Sequence, residues 1–446
     1  MMPKKSSPVR VWVVVAAVSL LAGCGGLLDV SDPSRFKDED LDKALDAVAN
    51  GAEGEFHGAL DNLIYFSALL GDEWQHTGTW AAWDDADHGR VRYAQDPADF
   101  TMNDLLRARF AAQDAQARFQ RVLGSGAASS PLMAQVLSVD GVIDLILAEN
   151  FCEAPAGQGT AAISDTAMYR QAITKLQNAQ AVANASGRRV RAQGDTVDYA
   201  LVAQAGIARA NLLLGNYLEA RAAAQAVPTA FTYRAVYTEN AQRNDIVFLA
   251  TAGFNKAGGM REKWWSQVDT LRSMLIDPFT GERDPRVPIR HDPGVVGVDG
   301  ITPFYSQWKY RSLNSTIEVI GGREMRLIEA EAAWQSGDYA TAMAILNALR
   351  ADVGLSAVPT PGTRDSVFEV LLHERFAENF MEGHRTNDLY RFNLTAAYVA
   401  RGDFDSPTVG GRSSPDRATK FPLSQTEATY NLQIVDNASV RCSPHL

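Results

Sequence analysis

Cysteine is scarce in this chain: three thiols in 446 residues rule out a disulfide-built scaffold. Positive charge is also short. Forty-two Lys and Arg stand against 53 Asp and Glu, for a formal net charge of −11, which excludes a nucleic-acid-coating protein that must displace counterions with a basic face. Catalytic signatures are missing too. There is no Walker loop, no Gly-x-Ser-x-Gly elbow and no Gly-x-Gly-x-x-Gly. His373-Glu374 is followed by Ala377, where a zinc-protease helix needs its second histidine. The run Asp84, Asp85, Asp87, His88 lacks the glycine and closing glutamate of a calcium loop and reads as a solvated acidic turn. No pair among the many carboxylates is singled out for acid–base work. The expectation is no enzyme, no cofactor and no metal.

What is present is a globular composition, 46% hydrophobic, behind a distinctive N-terminus. Residues 1–23 read as a lipoprotein signal peptide: Lys4, Lys5 and Arg10 are followed by an apolar run from Val11 to Leu21 that is too short for a permanent span. Leu21-Ala22-Gly23-Cys24 resembles a bacterial lipobox, which makes Cys24 the expected lipid attachment point. Processing there leaves 423 residues and moves the formal charge to −14. By resemblance to lipoprotein sorting rules, Gly25 after the cysteine favours the outer membrane. Residues 24–37 read as a tether and 38–446 as one domain. The sequence leaves open whether Cys152 and Cys442 pair.

The body is read as helical. Leu41, Leu45, Val48, Ala52, Phe56, Leu60, Leu63 and Ile64 fall at helical spacing, and further helices are predicted over 101–123, 131–150, 165–186, 196–214 and 217–227. Asp245 to Leu249 is the best isolated strand candidate. Two windows repeat at an offset of 122: Ala208, Gly215-Asn216-Tyr217 and Ala220 recur as Ala330, Gly337-Asp338-Tyr339 and Ala342. Small residues twelve apart around a Gly-x-Tyr turn match a tetratricopeptide helix hairpin, a unit that stacks to cover its apolar face. Residues 228–320 are rich in Pro, Gly and aromatics and read as an irregular ligand-face insertion.

Tryptophan stands out. Trp74, Trp80 and Trp83 lie within ten residues of a polar, glycine-bearing window, and Trp265, Tyr305 and Trp308 fall in the insertion. Indoles beside amides and carboxylates suit sugar recognition, the ring stacking on a pyranose face while polar neighbours bond hydroxyls. These six are the ligand-binding candidates. The bland reading is that the rings fasten loops to the frame.

The C-terminal part carries a family resemblance. Arg323 to Ala332, Gly337-Asp338-Tyr339, Ala342, Leu346-Asn347 and Arg350 are followed by Glu374-Arg375-Phe376-Ala377-Glu378, Glu382-Gly383-His384-Arg385 and Asp388-Leu389-Tyr390-Arg391. With Phe421-Pro422-Leu423, Glu427 and Asn431, this set over 321–431 resembles the SusD/RagB family of nutrient-binding outer-membrane lipoproteins. The charges are read as local braces, Arg375 meeting Glu378 and Arg385 meeting Asp388 three residues on. The resemblance implies a mainly α fold: tetratricopeptide-like helix hairpins form an α-α superhelical frame carrying irregular loop insertions. It further implies an exterior-facing, lipid-anchored protein that binds a glycan or similar nutrient and delivers it to a SusC-type TonB-dependent transporter. The alternative is a lipid-anchored scaffold whose ligand is another envelope protein.

Overall fold

The computed structural model describes residues 38–92, 96–191, 194–405 and 413–435. The signal peptide, the tether and Cys24 lie outside them. A short helix, Asp38–Leu41, belongs to the N-terminal unit, and Asp46–Leu446 is a second compact unit.

The frame is a series of helices, α1 (Leu45–Leu70), α2 (Asp96–Leu123), α3 (Pro131–Asn150), α4 (Asp165–Ser186), α5 (Tyr199–Leu213), α6 (Tyr217–Gln225), α7 (Gly322–Gln335), α8 (Tyr339–Asp352) and α9 (Arg364–Glu378), of which α2 to α9 each pack against the next. Their starts follow local chemistry. Pro131 opens α3, its fixed φ suiting the first turn. Ser164, Asp198, Asp338 and Thr363 cap α4, α5, α8 and α9 by accepting backbone N–H groups. α3 is apolar nearly all round and buried from Met133 to Asn150, as befits a central helix. It is the one described helix long and apolar enough to cross a membrane, and here it forms the core of the frame. Its buried Asp144 is matched by Arg109 of α2 at 3.1 Å and Lys175 of α4 at 2.7 Å. Leu176 of α4 wedges between glycines of its neighbours: a Cβ at Gly141 or Gly206 would stand 2.8 or 2.7 Å from its side chain.

The repeat holds down to individual hydrogen bonds. Gly215 and Asn216 donate to Leu212 and Asn211, and Gly337 and Asp338 donate to Trp334 and Ala333. Both turn glycines adopt positive φ, +78° and +83°, closed to most side chains. Ala208, Ala220, Ala330 and Ala342 are all fully buried at the helix crossings. The two hairpins, α5–α6 and α7–α8, stack directly on one another. Everything between them in sequence is therefore looped out of a continuous solenoid. Arg326 of α7 fixes the stack by donating to the carbonyls of Ala224 and Val227 at the end of α6, 2.7 and 2.8 Å.

The insertion contains short antiparallel pairs, among them Thr232–Ala235 with Ile317–Gly321, which closes its base. Asp245–Ala250 is a helix, not the predicted strand. Asn244 caps it, accepting from Val247, and the Asp245 N–H donates to buried Asp61; the cap overrides the β-propensity of Ile-Val-Phe. Phe421 runs beside the end of α3, bridging to Phe151. Cys152 is disulfide-bonded, and its partner lies outside the described residues.

The crossings leave no room for larger side chains. Ala208→Leu and Ala330→Leu should each lower unfolding free energy by about 1–3 kcal/mol, read from urea melts. Leucine at exposed Ala222 should not.

Candidate functional site

The segment carrying the first three tryptophans leaves the C-terminus of α1, whose last carbonyls have no helical partner. Arginines fill that role. Arg417 donates to the Leu69 and Leu70 carbonyls at 3.1 and 2.6 Å and Arg261 to Leu69 at 3.2 Å, while the Ser67 carbonyl, which already accepts the Gly71 N–H, also takes the Thr386 hydroxyl at 2.5 Å. Cations at this end also meet the negative pole of the helix. Asp72 follows, fully buried, held by Arg385 in a two-pronged pair of 2.6 and 2.8 Å and by Lys263. Burial pushes its carboxyl up, but Arg385 and Lys263 outweigh this and hold it well below the usual range. Glu73 accepts the Met381 N–H at 3.0 Å. Burial raises it to about 7 despite that bond.

From this anchor, β1 (Trp74–His76) pairs antiparallel with β2 (Gly258–Met260), Trp74 opposite Met260. β2 lies along β4 (Pro303–Gln307), so close that a Cβ on Gly259 would stand 3.4 Å from the Phe304 ring. β4 in turn pairs with β3 (Ile289–Val296), His291 opposite Tyr305. The three candidate-bearing segments are thus assembled side by side, although nearly 200 residues separate β1 from β2.

The rings divide into braces and faces. Trp74 is 0% exposed and packs edge-on against Tyr65. It is core, not a ligand contact, because β1 dives under the insertion instead of running over the surface. Trp83, on the short helix Ala81–Asp87, is ringed by Tyr65, Phe66, His76 and Trp80. Trp80 lies outermost, 47% exposed, its centroid 4.3 Å from that of Trp83. In the insertion, Trp265 and His291 both stack on Tyr305, at 4.7 and 4.1 Å and within 12° of parallel. Trp265 and His291 do not touch each other, so they occupy opposite faces of Tyr305. A ligand cannot stack on Tyr305, and the outer faces of the stack belong to Trp265 and His291. The Trp265 indole is fixed by its Nε1–H donating to the Met260 carbonyl at 2.8 Å. Trp308 lies apart, with the guanidiniums of Arg290 and Arg311 at 4.7 and 5.6 Å from its ring. It lines a cleft of about 600 Å³ with Arg311, Glu318 and Glu382.

The acidic turn is matched by arginine. Asp85 pairs with Arg90 at 2.8 Å, and Asp87 is buried against Arg261 and accepts the His76 N–H. Asp277, Asp284 and His373 also cluster, but Arg350 neutralises Asp277 and Arg286 neutralises Asp284. Within the family motif Arg391 does pair locally with Asp388 at 2.8 Å, but the two expected local pairs are replaced by longer-range ones. Arg375 reaches Asp388 at 2.8 Å and Glu331 at 3.6 Å, and Glu378 is taken by Arg323 and Arg286. Arg385 goes to Asp72 and not to Asp388. Arg385 takes Asp72 in fork geometry, and the neighbours passed over, Glu378 and Asp388, are themselves desolvated and paired with other guanidiniums. Sequence reasoning missed His291 and Arg311; alternation across the hairpin, with His291 opposite Tyr305, was the available signal for the first.

Glu73 supplies a pH test. Its carboxyl titrates at 4.5 when unfolded and about 7 when folded, so its contribution to stability is complete below pH 4.5 and is lost as pH rises through 7. Glu73→Gln keeps the acceptor for Met381 without the charge. Thermal melts from pH 4.5 to 8 should show a shallower loss of stability than the parent chain. The slope should not vanish, because Glu149 is also held at about 7.

The SusD family model matches residues 310–439, the stretch that contains the helices and charges just described. No curated protein matches the chain in sequence. Among solved structures, a SusD superfamily protein from Bacteroides vulgatus is 16% identical with a TM-score of 0.64, covering 85% of this chain and 96% of its own. A SusD-like protein from Bacteroides fragilis is 16% identical with a TM-score of 0.65, covering 91% and 98%. A structure described as a laminarin-binding SusD-like protein is 18% identical with a TM-score of 0.57, covering 89% and 98%. Those identities carry the fold, mainly α with tetratricopeptide-like hairpins, and the family model places residues 310–439 in the SusD family.

Proposed function

We propose that this chain is a lipid-anchored receptor on the outer face of the outer membrane. It binds an oligosaccharide or similar nutrient and passes it to a SusC-type TonB-dependent transporter, without chemistry of its own. The observation that carries the reading is the pair of presented aromatic faces: Trp80 over Trp83, and the Trp265 end of the Tyr305 stack. Both stand on segments that buried charges clamp to a rigid solenoid. Rings held in place this way lose little entropy when a sugar stacks on them. Two structural relatives are described as carbohydrate binding and laminarin binding, which supports a glycan as the ligand class. Membrane attachment rests on the lipobox ending at Cys24, and the transporter partner on the match to the SusD family.

The tests separate face from brace. Trp80→Ala and Trp265→Ala should each weaken glycan binding about tenfold or more, roughly 1.4 kcal/mol, in calorimetry against a glycan panel, with melting temperatures nearly unchanged. Trp74→Ala should instead destabilise the fold by about 3–5 kcal/mol. Full affinity in the double Trp80/Trp265 variant sinks the reading. Cys24→Ser should abolish incorporation of labelled palmitate and release the protein from the membrane fraction.

A further inference from the structure

The cleft at Trp308 holds an ionic imbalance that the aromatic array does not explain. About 600 Å³ in volume, it has the size of a small-ligand site and is lined by neither Trp80 nor Trp265. Most of its charges are matched. Arg286 pairs with Asp284 and Glu374, Arg323 with Glu378, and Lys309 with Glu382 at 2.6 Å. Two lining groups are left over. Arg311 has no carboxylate partner among the described residues; its Nε–H donates to the Trp308 carbonyl at 3.3 Å and its guanidinium lies by the indole, leaving the remaining N–H groups open. Glu318 receives no hydrogen bond from any described residue, and the space it fills exists only because residue 321 is a glycine. Its carboxyl lies over Gly321, where an added Cβ would fall 1.7 Å from Oε1. Burial and the charge of Glu382 raise it to about 8, with Lys309 and Arg234 opposing and Glu324 adding to the rise. Glu382 is raised as well, so at neutral pH the Glu318–Glu382 pair holds a proton that Glu318 can donate. The cleft thus offers an open guanidinium fork and an open acid O–H, two donors awaiting acceptor oxygens.

We propose that this cleft is a subsite for a carboxylate-bearing sugar of the uronic acid class, with Arg311 and Glu318 meeting the two oxygens of its carboxylate. Arg311 supplies the charge-assisted bonds, Trp308 is the surface that orients the guanidinium, and Glu318 adds one hydrogen bond while protonated. Above pH 8 Glu318 ionises, and its carboxylate repels that of the ligand. The inference rests on the saccharide reading above but places the acidic residue at a separate position.

The experiment is calorimetry of the full chain with trigalacturonate and with the neutral trisaccharide laminaritriose. The expected result is that trigalacturonate binds, Arg311→Ala weakens it at least tenfold, and Arg311→Lys recovers part of the loss. Affinity of the parent chain should fall about tenfold per pH unit above 8. Glu318→Gln should bind at pH 7 with that fall abolished, a readout that misfolding cannot mimic. If trigalacturonate does not bind, or binds Arg311→Ala at full affinity, the inference is overturned. Trigalacturonate affinity that is lost in Trp80→Ala but intact in Arg311→Ala also overturns it while leaving the receptor reading standing. A failure of every saccharide in the panel removes both.

Discussion

The structure hangs on one buried carboxylate. Asp72 is where three remote parts of the chain meet: the end of α1 that carries it, Lys263 from the insertion and Arg385 from the family motif. A buried ion pair is poor value as stabilisation, since desolvating both partners offsets most of their attraction. Its effect here is specificity. Hydrophobic surface lets loops slide, whereas a carboxylate gripped by a planar guanidinium has one acceptable geometry. Around it, Arg417, Arg261 and Thr386 take the terminal carbonyls of α1, and Glu73 takes the Met381 amide. The backbone entering β1 is therefore fixed on both sides before any tryptophan appears.

That junction also explains how a long irregular insertion remains ordered. The solenoid is continuous across it, with α5–α6 stacking on α7–α8 as if the intervening residues were absent. An excursion from such a frame has closed ends, because the pairing of Thr232–Ala235 with Ile317–Gly321 holds its base. Its middle is tied down separately, through β2 to β1 and through Lys263 and Trp264 to Asp72. The charged residues that mark the family thus sit on the helices but organise the loops. Arg350 likewise reaches from α8 to Asp277 in the insertion at 2.9 Å.

These links decide what the sequence could reveal. Helices α2 to α6 were legible because apolar periodicity, Pro131 and the Gly-x-Tyr turns are local, and the repeat even predicted which alanines sit at crossings. Pairings made across the fold were not. Arg375 and Glu378 look like partners on a helical wheel, yet each finds a better one 13 or 55 residues away in sequence. Asp245–Leu249 was misjudged for a local reason, as β-branched residues hid the Asn244 cap. Composition found the aromatic region, but it could not separate Trp74 from Trp80. Six residues apart in the same polar window, one is core and the other half open. That difference arises from β2, which covers β1 and is contributed by a segment far along the chain.

The split between brace and face has a physical logic that extends to the whole array. A ring with both faces covered, such as Tyr305, offers no stacking surface, but it fixes the plane of whatever stacks outside it. The parallel alignment of Trp265 and His291 is inherited from Tyr305, whose own place is set by its cross-strand position in the β3–β4 hairpin. Trp83 stands in the same relation to Trp80: wedged among Tyr65, Phe66 and His76, it presents a rigid aromatic support for the one ring that faces water. An exposed indole on a mobile loop would lose rotamer and loop entropy on binding, which can cancel the gain from one stacked sugar. Mounting each outer ring on a second, packed ring reduces that loss in advance. The requirement also explains why the rings of these segments pack on one another: the inner rings hold still the few that a ligand can touch.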